Sequence, residues 1–175
     1  WIRRIVVPLA LALLAGPVGA APEAVVGEEA IEVLDAFSDI AVLEPGERVL
    51  GLVGFYGQPL PVQWLVLTGN VEKRAPLRES VFARGSVLAE RRFAALPGQD
   101  LPHLPILRDT LKISSSEAFR IAEERAKSHQ VAFESAHYQL RVRDEGAEPV
   151  WMLNLLDKAQ ITVGLVYLSA SSGEI

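Results

Sequence analysis

The chain has no cysteine. That absence excludes a disulfide framework, a thiol nucleophile and the cysteine that carries a bacterial lipid anchor. Blocks of positive charge are missing too. Lys and Arg number 17 against 22 Asp and Glu, a net charge of -5, so the composition argues against nucleic acid as a partner. Histidine is scarce, and His103, His129 and His137 show no H-E-x-x-H pairing. A zinc site needs three or four convergent ligands, so no metal is expected. No G-x-S-x-G elbow occurs. The Ser114-Ser115-Ser116 run is explained by helix capping, and Glu123-Glu124 by a solvated helix face. Nothing assembles a nucleophile, a base and an oxyanion site, so the chain reads as non-catalytic and without a cofactor.

What is present begins with Arg3 and Arg4 ahead of the apolar run "IVVPLALALLAG", followed by small residues in "PVGAAPEA". A charged start, a short apolar core and a small-residue exit make residues 1–20 a secretory signal peptide, with cleavage expected after Ala20. The run is shorter than the roughly 20 apolar residues that span a bilayer. An uncleaved N-terminal anchor is the alternative. The expected product is periplasmic or secreted, with no stable membrane anchor after cleavage. Half the residues are apolar, which is enough for a packed core.

The spacing of Ala30, Ile31, Leu34 and Phe37 predicts a helix, and "RVLGLVGFY" and "VQWLVL" predict strands separated by turns. Gly51, Gly54 and Gly57 match neither a dinucleotide fingerprint nor a phosphate loop, and read as strand glycines that allow a bulge or close packing. "LRESVFARGSVLAERRF" suits either a hairpin turning at Arg84-Gly85-Ser86 or a helix interrupted by Gly85; the hairpin avoids the cost of about 1 kcal/mol for a helical glycine. Pro97, Pro102 and Pro105 mark residues 97–110 as a linker. Beyond it, Ser114 and Glu117 form a capping box ahead of an apolar stripe of Ala118, Ile121, Ala122 and Ala126. "AHYQLRVRD", "PVWMLNLL" and "ITVGLVYLS" then read as three strands.

The capped helix at residues 114–130, the "YQLRV" and "PVWMLNL" strands and the closing Gly173-Glu174-Ile175 resemble the PepSY family over residues 111–175. The resemblance implies a non-catalytic binding module of an exported or membrane-attached bacterial protein, with a peptidase among its candidate partners. One departure is Ser169, where the family often has an acidic residue. The fold class expected is α+β: a helix packed on an antiparallel three-stranded meander, preceded by a second small α+β unit at residues 21–96. The two halves each have a helix followed by a Trp near Pro-Val. The Trp is offset by one residue between them, which would put it on opposite sheet faces, so duplication stays open.

Four-residue loops would set Trp151 opposite Val142 and Val166, and Leu153 opposite Leu140 and Gly164. One face of the meander is then Tyr138, Leu140, Val142, Trp151, Leu153, Leu155, Val166 and Leu168, ready to receive the helix. The other carries an apolar cluster of Val150, Met152, Val163, Leu165 and Tyr167, the candidate interface. A sheet wet on one side usually alternates more cleanly, so this face is expected to be covered, by the N-terminal half or by a partner chain or ligand. Two functions follow: a protein-binding module, restraining a peptidase or an envelope complex, or a small-ligand carrier with a pocket between the halves lined by Trp64, Trp151 or Tyr167.

Overall fold

The computed structural model describes residues 26–72, 76–94, 101–144 and 146–175. The signal-peptide reading of residues 1–20 and the opening of the proline-rich segment lie outside them. Helix α1 (Ala30–Ile40) buries Ala30, Val33, Leu34 and Phe37, residues three or four apart that form one stripe. Helix α2 (Ser115–Ser128) buries Ala118, Ala122 and Ala126 in the same way. Between and after them run β1 (Glu47–Gly57), β2 (Trp64–Asn70), β3 (Leu77–Ala83), β4 (Ser86–Phe93), β5 (Ser135–Val142), β6 (Pro149–Leu156) and β7 (Thr162–Ser169). The Arg84-Gly85 turn has positive φ at both positions, 54° and 67°, the geometry of a tight two-residue hairpin, so the hairpin reading holds.

The strands make one antiparallel seven-stranded sheet in the order β4-β3-β2-β1-β5-β6-β7. This corrects the expected architecture of a helix on a three-stranded meander with a separate small unit before it. The first strands of the two halves pair edge to edge, with Leu52 opposite Leu140 and Gly54 opposite Tyr138. Side chains of both helices join those of one sheet face in a single core. Alternation along a strand reports which face a residue occupies but carries no information about which strand lies beside it, and so the merger was not legible.

Trp64 and Trp151 meet at this junction, with ring centroids 6.4 Å apart and Tyr138 at 5.8 and 6.2 Å from them. The indole N–H of Trp64 donates to the carbonyl of Glu28 (2.9 Å), and that of Trp151 to the carbonyl of Ile113 (3.0 Å). Each acceptor is the residue just before the N-cap of its helix, Glu29 or Ser114. The halves therefore repeat one arrangement. The one-residue offset from Pro-Val does not place the tryptophans on opposite faces, because β2 starts at Trp64 whereas Pro149-Val150 already belong to β6.

The C-terminal faces were legible but the register was not. All eight side chains expected under the helix are buried. Trp151, however, lies opposite Leu140 and Leu168, and Leu153 opposite Tyr138 and Val166. The loop before β6 holds six residues, and the loop before β7 holds five, with a bulge at Val163 adding one more. Each pairing slips by two, which preserves the face.

Of the proline-rich segment, the described residues 101–110 run along the sheet and pack on it in part. Pro102 sits over Gly51, Ile106 donates its N–H to the Val49 carbonyl (2.9 Å), and Ile106 and Leu111 are buried. The chain thus crosses from one face to the other where β1 runs past the end of β5.

The capping box is half made. Ser114 Oγ accepts the Glu117 N–H (3.3 Å), but the Glu117 carboxylate turns to Arg120 (2.6 and 2.9 Å). Glu29, from the start of α1, accepts instead from the Ser115 hydroxyl (2.6 Å) and the Ser116 N–H (3.2 Å), while Ser115 Oγ accepts the Ala30 N–H (3.0 Å). One carboxylate thus joins both helix starts. Glu29→Ala is expected to cost about 1–2 kcal/mol, the range for a lost cap with a charged acceptor, read as a shift in denaturant midpoint.

Candidate binding surface

The face away from the helices presents rows that run across the sheet. In one, Leu65, Val53, Gln139, Met152 and Tyr167 stand side by side on successive strands; in the next are His137, Asn154 and Leu165. Of the predicted interface residues, Val163 (37 %), Leu165 (48 %) and Tyr167 (45 %) are exposed, Met152 is half-buried and Val150 is buried (6 %). Val150 therefore supports the surface from within. Among the described residues, the N-terminal half does not cover Val163, Leu165 and Tyr167. It extends the sheet sideways through β1, and among the described residues no helix lies over Val163, Leu165 and Tyr167.

An aromatic group that the sequence reading passed over borders this surface. β1 and β5 shift register between Gly54 and Gly57, and within the bulge Tyr56 takes a left-handed φ of 53°. A Cβ at Gly54 would lie 2.5 Å from Pro61, and one at Gly57 2.6 Å from the Tyr138 ring. The glycine spacing thus reflects close packing and a bulge. Tyr56 donates its N–H to His137 Nδ1 (3.2 Å), and the rings of Phe55 and Tyr56 stand 5.2 and 4.5 Å from the imidazole. The one sequence signal was the glycine pair enclosing Phe55-Tyr56.

Accepting at Nδ1 requires the neutral imidazole with its proton on Nε2, and burial holds the His137 pKa below its ordinary value. A base with a depressed folded pKa contributes its stabilisation fully above the unfolded pKa of about 6.5, and loses it as pH falls through the folded value. Stability is therefore expected to decline on acidification below that point. The decline should be shallower in His137→Phe, compared by denaturation across the same pH series.

The other histidines lie apart. His103 Nε2 is 3.3 Å from Asp144, and His129 caps the end of α2. Among the described residues, no three His, Asp or Glu side chains group as a metal site. Trp64 and Trp151 are fully buried in the helix-side core while Tyr167 is on the opposite face, so the three do not line one pocket. Among the described residues, open clefts lie at Pro102, His103, Arg141 and Asp144 and at Glu44, Asn70 and Arg92. No family model matches the chain, and neither a curated protein nor a solved structure matches it.

Proposed function

We propose that this chain is an exported, non-catalytic protein-binding module that docks its partner on the open face beside β7. The observation that carries this reading is the exposure of Val163, Leu165 and Tyr167 on a sheet face that no helix covers among the described residues. Contiguous apolar surface of this kind marks an interaction site more often than a scatter of single residues does. The PepSY-like order of the last four elements supports a binding role and makes a peptidase the first partner to try. The signal-like N-terminus supports export. The test is site-specific photocrosslinking in the producing cell from Met152 and Tyr167, with Leu88 on β4 as control. A discrete adduct with another protein from the first two positions and not from the third is expected. Its absence at all three would overturn the proposal.

A further inference from the structure

The two edges of the sheet are built differently. β4, with the sequence "SVLAERRF", carries Glu90, Arg91 and Arg92, the charged residues that discourage strand addition. β7, "TVGLVYLS", has no charged residue and no proline. No described strand pairs with its outer side. Ala170 donates its N–H to the Pro149 carbonyl, so by the alternation of an antiparallel ladder the even-numbered residues of β7 bond to β6. The N–H and C=O groups of Leu165 and Tyr167 then point outward. Those of Ser169 do as well, but they are already taken, by the Glu174 carbonyl and the Gly173 N–H.

The unpaired stretch of β7 therefore runs from the bulge at Val163 to Tyr167 and is centred on Leu165. We propose that β7 pairs antiparallel with β7 of a second copy of this chain, about a two-fold axis through Leu165. In that register each Leu165 exchanges both backbone bonds with its twin, and Val163 lies opposite Tyr167 of the other copy. The side chains of all three residues are on the open face, so pairing also joins apolar side chains across the axis. An uncharged strand brings no like charges together when it meets itself, and the contact is self-complementary as a two-fold interface must be. The proposal rests on the reading of this face as a docking surface: the dimer would offer the partner two such faces as one continuous surface.

The test uses the full chain. Sedimentation equilibrium should give twice the chain mass for wild type and for Leu88→Lys on the opposite edge. Leu165→Pro removes only an outward N–H, which a lone monomer does not bond to β6, so it should be monomeric with an unchanged circular dichroism spectrum. Because the chain has no cysteine, a spin label at Leu165→Cys gives an independent reading that does not require a disruptive variant. Dipolar broadening is expected there and not at Leu88→Cys. A monomeric wild type, a dimer that survives in folded Leu165→Pro, or a label at position 165 without broadening would overturn the pairing. Photocrosslinks from Met152 to another protein would persist in that case if the docking face is correct, and would vanish independently of chain mass if it is not.

Discussion

Trp151→Ala should lower stability by about 3–5 kcal/mol, the usual cost of emptying a fully buried aromatic site. Trp151 is completely buried, packs on Tyr138 and Trp64, and ties the entry to α2 through its bond to the Ile113 carbonyl. The substitution removes core volume and leaves that part-buried carbonyl without its donor. With no disulfide in the chain, the loss falls on non-covalent packing alone. Denaturant melts would show a lower midpoint, and Trp151→Phe, which keeps most of the volume, should retain more of the stability. An unchanged midpoint for Trp151→Ala would mean that the junction of the two halves is not a shared core.

Arg78→Ala should be of similar size, about 3–5 kcal/mol, for an electrostatic reason. Arg78 grips the Glu47 carboxylate with two bonds of 2.9 and 3.0 Å, and both side chains are nearly shielded from water. The Glu47 carboxylate also accepts from the Thr68 hydroxyl (2.6 Å) and the Glu44 N–H (2.9 Å). Burial by itself would raise the Glu47 pKa; the bonds from Thr68 and Glu44 and the adjacent guanidinium outweigh it and hold the carboxyl below its ordinary value. Truncating Arg78 leaves that charge buried without its counterion. The double replacement Glu47→Leu with Arg78→Met should recover most of the loss, because an apolar pair of similar volume avoids the desolvation that the ions undergo. If the double variant is no more stable than Arg78→Ala, the cost comes from packing and not from the unpaired charge.

This ion pair also shows where sequence reading stops. Arg78 and Glu47 are 31 positions apart, and nothing local marks either as interior. They meet because β1, β2 and β3 stand side by side, placing Val49, Thr68 and Arg78 in one row with Glu47 beside it. The Glu29 cap on α2 is a similar case. Ser114 and Glu117 have the capping-box spacing, yet the acceptor that completes the helix start comes from the other half of the chain.

On the candidate surface, period-two alternation placed Val163, Leu165 and Tyr167 away from the helices, and a register slip of two could not alter that. It did not show that Val150 is buried, nor that Phe55 and Tyr56 lie beside His137, which requires β1 to pair with β5. Helical stripes, strand faces and the Arg84-Gly85 turn follow from side-chain periodicity and backbone preference over a few residues, so the sequence alone determined them. The β1–β5 pairing, the single core around Trp64 and Trp151, and the bare face beside β7 were decided only by the tertiary structure. Each depends on which strand edges meet, and a backbone edge looks the same whatever side chains it carries.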